Sequence, residues 1–413
     1  MSLPPATQLP KPFILLAGIS GTGKSRFVRE QAGAHGQDGN FCLVAVRPDW
    51  HEPGDLLGYV SRLSGTNKYV ATDVLGFMAR AWKSLHSRGL VLDASSGQTT
   101  RLSGSASLLD AVAPYWLCLD EMNLAPVEQY FADYLSLIET RHWQHSPDGA
   151  FTYSCDALLK GSVLGELEQA AQQELARNLG LGDISPAGED YGLWQHFLRH
   201  GIAIAPNLIV AGTVNMDETT HGFSRKVIDR AMSFDFGEFF PNDFDDYLAG
   251  TISHVPLSFA RQSSGRDAVA KEAAAPSIEF LKAVNGVLKG SPFELAYRAL
   301  NELLLAVDCH GSPAPGRELQ AVWDDFLMQK LLPRIEGDTD KLQDGQEGNA
   351  NVLTRLRDLL ENQMAAIWEQ GNTRPDFYRL QNGQPVTTEC RSRRKIDWML
   401  KRLERSGFTS FWP

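Results

Sequence analysis

The first 240 residues contain short apolar runs that alternate with longer segments of helical spacing. Strands that alternate with helices in this way predict an α/β fold with a parallel, doubly wound sheet. Some stretches between runs are longer than a minimal α/β core requires, so we expect insertions near 51–112 and 144–206 within a core domain at 1–240. The predicted strands lie at 13–17, 41–46, 115–119, 208–214 and, more weakly, 232–236.

The pattern changes near 237–246, and from Ser277 onward apolar residues recur at the spacing of an α-helix. We therefore predict a second, helical domain at 241–413. Its polar, glycine-rich stretch at 337–351 predicts a flexible loop. The helical segments are expected at 278–288, 295–307, 322–332 and 351–368.

A glycine-rich motif follows the first predicted strand and opens a predicted helix at 24–34. It fits the pattern G-x-x-x-x-G-K-[ST], in which glycines let the backbone wrap a phosphate chain. The helix N-terminus attracts the negative charge, Lys24 is expected to reach the β- and γ-phosphates, and the Ser25 hydroxyl is expected to bind Mg²⁺. A chance glycine turn would lack the flanking strand and helix. The predicted phosphate-binding residues are Gly18, Ile19, Ser20, Gly21, Thr22, Gly23, Lys24 and Ser25.

Two acids end the predicted strand at 115–119. A parallel sheet places such a strand end at the ligand-binding edge, so Asp120 is expected beside the metal and Glu121 beside the attacking water. An acidic pair can also be a solvated strand end. The phosphate-binding motif upstream favours the catalytic interpretation, because phosphoryl transfer needs both a metal-side acid and a group that positions water.

Together these motifs resemble the AAA+ P-loop NTPases, and most of the chain is similar to the McrB-type branch, the motor subunits of modification-dependent restriction systems. The phosphate-binding and acidic motifs are generic, whereas the other stretches are more selective. The resemblance is carried by the motif at 18–25, RPDW at 47–50, DLLGY at 55–59, DEMN at 120–123, GTVNMDE at 212–218, FSRKVIDR at 223–230, AYR at 296–298 and GFTSFW at 407–412.

The resemblance implies roles for four further polar residues and a C-terminal helical lid. Asn215 corresponds to the first sensor, between the metal-side acid and the γ-phosphate, although an asparagine there could also simply start a turn. Arg298 resembles the second sensor on the lid. Arg230 resembles the arginine finger that enters a neighbouring subunit's site, with Arg225 as the alternative. An ordinary arginine is ion-paired or solvated, which is the competing interpretation of Arg230 and Arg298.

The resemblance also implies a function. We expect an NTP-hydrolysing motor that uses Mg²⁺ with ATP or GTP, forms a hexameric ring and works with a separate McrC-like nuclease subunit in restriction or antiviral defence. The sensor stretch continues as Thr219-Thr220-His221 where studied members have an Asp-Arg pair. The sequence therefore does not decide between ATP and GTP. No DNA-reading domain precedes the first strand, so contact with DNA is expected to be indirect. A MoxR-like remodelling chaperone and a nucleotide-gated assembly scaffold are the alternatives.

The composition of the chain bears on its solubility, its cellular location and its contact with nucleic acid. The chain has 413 residues, no apolar run of membrane-spanning length and no secretory signal, so we expect a soluble, cytoplasmic protein. Its five cysteines form no C-x-x-C pair. A net charge of −11 disfavours a surface that coats nucleic acid. The basic run at 391–405 is expected to be a helix packed on the lid, with a DNA contact as the alternative.

Overall fold

The computed structural model describes residues 6–63, 65–93, 99–216, 221–269, 271–343 and 351–412. Its centre is a five-stranded sheet in which every neighbouring pair runs parallel. Each predicted strand is present, and its ends differ from the predicted ends by no more than one residue. The strands are β1 (Phe13–Gly18), β2 (Phe41–Ala45), β3 (Tyr115–Asp120), β4 (Leu208–Asn215) and β5 (Met232–Asp235). Their order in the sheet is β5-β1-β4-β3-β2.

The register of this sheet brings the polar strand ends together. β1 and β4 are buried at every position, as expected for a parallel sheet covered on both faces. Across the sheet, Asn215 pairs with Gly18, while Asp235 pairs with Ala17. Because all strands run in one direction, their carboxyl ends share one edge, and the glycine-rich loop begins there.

Helices of ten or more residues are spread over both predicted domains. The segments predicted as helical at 24–34, 278–288, 295–307, 322–332 and 351–368 each contain helix. In chain order these helices are α1 (Lys24–Gly33), α2 (Asp73–His86), α3 (Gln169–Asn178), α4 (Tyr191–His200), α5 (Ala274–Leu288), α6 (Tyr297–Cys309), α7 (Arg317–Phe326), α8 (Val352–Gln363) and α9 (Arg391–Ser406).

Shorter helical segments connect these elements. Short α-helices lie at Pro53–Leu57, Ala106–Asp110, Val127–Tyr130, Ala132–Leu137, Gly161–Gly165, Arg225–Ile228, Phe236–Phe239, Phe244–Ala249, Thr339–Leu342 and Ala365–Trp368. Tighter 3₁₀ turns lie at Met122–Leu124, Ile138–Thr140, Gly265–Ala268 and Leu332–Arg334, and a π-helical turn lies at Leu327–Leu331.

The two expected insertions form antiparallel sheet as well as helix. A second five-stranded sheet lies in them, built around the long strand Ala150–Leu159. A separate hairpin pairs Gly58–Ser61 with Lys68–Ala71. The partners of the long strand in the second sheet are Thr99–Ser105, His142–His145 and Ile202–Ala203, and Val91–Leu92 extends it.

The C-terminal region is not wholly helical as predicted. It also contains a three-stranded antiparallel sheet of Ile252–His254, Arg374–Gln381 and Gln384–Thr388. The strand at Arg374–Gln381 buries Arg374 and Asp376 on its inner face, and these charged residues hide the apolar alternation that would have predicted a strand.

Two short pairings join distant parts of the chain. Thr7–Gln8 runs parallel to Leu257–Ser258, and Glu336–Asp338 pairs with Phe408–Ser410. The prediction of a flexible loop at 337–351 is therefore partly wrong. The first residues of this segment belong to the strand Glu336–Asp338 and to the helix Thr339–Leu342. Residues 344–350 lie outside the described part of the chain. Within that part, no helix combines the length and apolar character needed to cross a lipid bilayer.

Candidate functional site

The glycine-rich loop between β1 and α1 has the backbone that a phosphate cradle requires. Gly21 and Gly23 adopt positive φ angles of 79° and 86°, a region that other residues rarely enter. α1 begins at Lys24 without a side-chain cap, and the N-terminus of a helix attracts anions. The Lys24 ammonium is buried and donates to the carbonyl oxygens of Gly18 at 3.0 Å and Ile19 at 2.7 Å. These contacts hold a positive charge inside the loop.

Asp120, at the end of β3, meets the loop through Ser25. The Ser25 hydroxyl donates to Oδ1 of Asp120 at 2.5 Å, and the Thr213 hydroxyl donates to the same oxygen at 2.7 Å. A serine hydroxyl and a carboxylate are hard oxygen donors of the kind that Mg²⁺ prefers, and magnesium sites usually use one or two such groups together with substrate phosphates. The residues present therefore fit a magnesium ion.

Glu121 and Asn215 form a second contact at this edge. The Asn215 side-chain amide donates to Oε1 of Glu121 at 3.1 Å, and the Glu121 backbone N–H donates to the Thr213 hydroxyl at 2.9 Å. Glu121 has φ 53° and ψ 50°, a left-handed conformation that is costly for a non-glycine residue. Such strain concentrates at functional sites.

A cavity of about 740 Å³ opens beside the glycine-rich loop. Its volume lies in the range of small-molecule sites. The C-terminal region supplies part of its wall, including His254 and Arg379, and Nε of Arg379 donates to Asp376 at 2.7 Å. The other lining residues are Ile19 to Gly23, Arg26, Phe27, Glu30, Phe236, Phe240, Pro241, Asn242, Asp243, Phe244, Gly250 and Ile252.

Arg230 and Arg298 lie together beside Glu139. Both contact the carboxylate of Glu139, Arg230 through Nε at 3.5 Å and Arg298 through Nη2 at 3.2 Å. Neither belongs to the described residues that line the cavity beside the glycine-rich loop. Arg225, the alternative finger, donates instead to the Pro292 carbonyl at 2.7 Å.

The basic run at 391–405 forms α9, and the start of this helix is largely buried. Arg391 and Lys395 are almost inaccessible to solvent, and Lys395 donates to Asp235 at the end of β5 at 2.5 Å. Arg394 pairs with Glu238 at 2.7 Å. These three residues therefore attach the C-terminal region to the edge of the sheet. The basic residues left exposed on this helix include Lys401 and Arg405.

Sequence reasoning missed two residues of this arrangement. Thr213 lies in the stretch that carried the family resemblance, but its hydroxyl contacts to Asp120 and Glu121 depend on the pairing of β3 with β4. Arg379 lies in a strand that was not predicted from the sequence. No sequence feature therefore indicated that it would lie near the glycine-rich loop. Asp217 and Glu218, in the same stretch as Thr213, lie outside the described residues.

Part of the C-terminal region matches a known protein family. Residues 256–408 match the family described as domain of unknown function (DUF8727). This segment covers most of the C-terminal region, including α5 to α9 and Arg379, and it leaves out the glycine-rich loop and the acids of β3. No curated protein matches the chain.

Proposed function

We propose that this chain binds a nucleoside triphosphate in the cavity beside its glycine-rich loop and hydrolyses it with Mg²⁺. The observation that carries the proposal is the hydrogen-bonded contact between Ser25 of the loop and Asp120 of β3. It joins the two motifs that phosphoryl transfer needs, although they are far apart in the sequence.

Each residue at this edge has a task in the proposed reaction. Lys24 and the first N–H groups of α1 hold the phosphates, and Ser25 with Asp120 would hold the magnesium ion. When bound, Mg²⁺ neutralises charge that develops on the phosphate oxygens. Glu121 accepts a hydrogen bond from the attacking water and orients it, while Asn215 fixes the Glu121 carboxylate from the neighbouring strand.

The order of the sheet supports this division of tasks. β4 lies between the loop strand β1 and the acid strand β3, so its polar end residue Asn215 lies between the glycine-rich loop and the acids. An AAA+ protein of the McrB type is the family that these features fit best. On that basis we propose a ring-forming motor subunit that acts with a separate nuclease, with Arg230 as the arginine that enters the neighbour's site.

Two variants test the hydrolytic site. We expect Lys24→Ala to abolish nucleotide binding, because it removes the charge that grips the phosphates. Glu121→Gln should retain binding but lower turnover by about 10²- to 10⁴-fold, because its amide is a poor proton acceptor. Calorimetry with ATP and GTP and phosphate release measure the two effects, with the exposed Lys68→Ala as the control. Turnover of Glu121→Gln at the wild-type rate would contradict the assignment.

The motor and its partner need a separate experiment. Co-purification from the native host followed by mass spectrometry should recover a nuclease-bearing subunit that stimulates hydrolysis. Recovery of a protein-remodelling cofactor instead would favour the chaperone alternative.

A further inference from the structure

The two edges of the central parallel sheet differ in how they are covered. β5 forms one edge, is buried at all four positions and packs against the π-helical turn Leu327–Leu331. β2 forms the other edge, and every residue of it is half-buried or exposed. Leu43, in the middle of β2, is 44% exposed although it is apolar. An exposed apolar edge strand is a template on which another chain can pair.

The backbone of β2 has hydrogen-bonding groups that no described strand uses. The Asn40 carbonyl and the Val46 N–H, just outside the two ends of β2, both form hydrogen bonds with β3. Successive residues of a strand direct their backbone groups to opposite sides, so the even-numbered residues of this segment face β3. Phe41, Leu43 and Ala45 therefore direct their N–H and C=O groups to the open edge, since β2 pairs only with β3 in the described sheet.

β2 also lacks the features that usually protect an edge strand. Proteins prevent pairing at an edge with charged side chains, proline or a β-bulge. The sequence of β2 is FCLVA, without a charge or a proline, and its register with β3 is continuous. Such an edge suits an extended peptide that adds a strand to the sheet through main-chain hydrogen bonds.

Two cations flank the open edge, one on each face of the sheet. The guanidinium of Arg29, an exposed residue of α1, lies 4.7 Å from the centre of the Phe41 ring. Burial raises the pKa of the Cys42 thiol, and Arg80 of α2 opposes this shift, so Arg80 lies near the other face. Asp73 adds one negative charge there. Within the described part of the chain, neither arginine forms an ion pair.

We propose that the open edge of β2 is a docking site for an extended segment of a partner protein, which adds to the central sheet as a sixth strand and carries acidic residues opposite Arg29 and Arg80. Complementary charge selects such a partner. A second copy of this chain is a poor occupant, because pairing of two β2 strands would bring the same cations together on each face. The proposal does not depend on nucleotide hydrolysis.

A synthetic peptide of about eight residues that alternates valine with glutamate is the probe. We expect it to bind saturably, as measured by fluorescence anisotropy of the labelled peptide, and to bind more weakly as the salt concentration rises. A peptide that alternates valine with lysine should bind at least about tenfold more weakly. If the glutamate peptide does not bind, or if both peptides bind equally, the proposal is wrong.

A proline substitution tests whether the backbone of β2 makes the contact. Leu43→Pro removes the N–H at the middle of the open edge and leaves the hydrogen bonds with β3 in place, since an edge strand tolerates proline whose N–H side faces solvent. It should weaken binding of the glutamate peptide at least about tenfold. Leu43→Ala keeps the N–H and is the matched control. A folded Leu43→Pro variant that binds as tightly as Leu43→Ala would overturn the proposal.

A charge reversal tests the acidic partner and leaves the backbone of β2 unchanged, so it decides the matter even if Leu43→Pro does not fold. Arg29→Glu should weaken binding of the glutamate peptide and strengthen binding of the lysine peptide. Lys289→Glu reverses an exposed charge in the C-terminal region and should change neither. An unchanged preference in Arg29→Glu would contradict the charge complementarity.

Amide hydrogen exchange locates the bound peptide. In the free protein, the N–H groups of Phe41, Leu43 and Ala45 should exchange faster than those of Cys42 and Val44, which face β3. The glutamate peptide should slow exchange at the first three residues. Protection elsewhere without protection at β2 would refute the sixth strand. If Leu43→Pro instead lowers the oligomeric state in sedimentation experiments, a second copy occupies this edge and the proposed partner is wrong.

Discussion

Two groups of charged side chains in this molecule differ in their exposure to solvent and in the kind of partner that they contact. At the edge of the parallel sheet, Asp120 and Glu121 are partly exposed and their partners are the neutral groups of Ser25, Thr213 and Asn215. In the C-terminal region, a second group is completely or almost completely buried and paired through opposite charges. This buried network consists of Asp324, Asp325, Arg374, Asp376 and Arg391.

The two groups differ in whether their charges are neutralised within the protein. Burial raises the pKa of Asp325 and opposes ionisation of Asp324, but Arg374 and hydrogen bonds from Ser392 and Arg391 lower the pKa of Asp324 below its usual value. The network is thus satisfied within the protein and is structural. The acids at the sheet edge keep oxygens that a metal ion and a water can use, which is what a binding site requires.

The largest expected effect comes from breaking the buried network. Arg374 donates to Asp324 at 2.6 Å and also pairs with Asp325. Arg374→Met leaves these two carboxylates buried without that partner, so the free energy of unfolding should fall by about 3–5 kcal/mol. Urea denaturation measures the change. Arg357→Met removes a half-exposed pair with Asp397 and should cost less than about 1 kcal/mol. Equal losses in both variants would erase the distinction between the two groups.

A smaller effect is expected where Thr213 supports the acids of the sheet edge. Thr213→Val removes one hydroxyl that contacts both Asp120 and the backbone of Glu121 while keeping the side-chain shape. Groups that orient metal ligands are typically worth about 10- to 100-fold in metal affinity or activity. The Mg²⁺ concentration for half-maximal hydrolysis should rise accordingly, and Thr213→Ser should restore it. An unchanged Mg²⁺ dependence would remove Thr213 from the site.

The third prediction concerns the strained backbone of Glu121. Relief of this strain should increase the free energy of unfolding by a small amount. Glycine adopts the left-handed conformation of this residue without steric cost, although it also gains entropy in the unfolded chain. Glu121→Gly should therefore raise the free energy of unfolding by about 0.5–1 kcal/mol while turnover is lost. Glu121→Gln keeps the strained backbone and serves as the control for stability. A destabilised Glu121→Gly would mean that the side chain stabilises the fold as well.

The sequence predicted the sheet edge well because local rules govern it. An apolar run, a glycine motif and a polar strand end identify β1, Lys24 and Asp120 without knowledge of their partners. The buried network had no such signal. Arg374 and Asp376 occupy inward positions of a strand. Arg374 pairs with Asp324 and Asp325 in α7, about 50 residues away, and Asp376 pairs with Arg391 in α9.

The same limit applies to the basic helix. The basic run was expected to form a packed helix, and α9 buries Ile396, Met399 and Leu403. Nothing local indicated that Arg391 and Lys395 would lie on the buried side and reach Asp325 and Asp235. The sequence likewise did not indicate that Arg298 pairs with Glu139 while Arg379 lines the cavity beside the glycine-rich loop, because both placements depend on the folding of the C-terminal region.

The smallest expected effect concerns the exposed end of that helix. Lys401 and Arg405 belong to the same basic run as Arg391 but are exposed, so removing both in Lys401→Ala/Arg405→Ala should change the free energy of unfolding by less than about 0.5 kcal/mol. Two exposed cations on a chain of net charge −11 form a weak electrostatic surface for nucleic acid. We therefore expect wild type and the double variant to bind duplex DNA equally poorly across a salt titration, measured by fluorescence anisotropy. A variant that lost binding, with a shallower dependence on salt, would show that one helix is structural at its start and contacts DNA at its end.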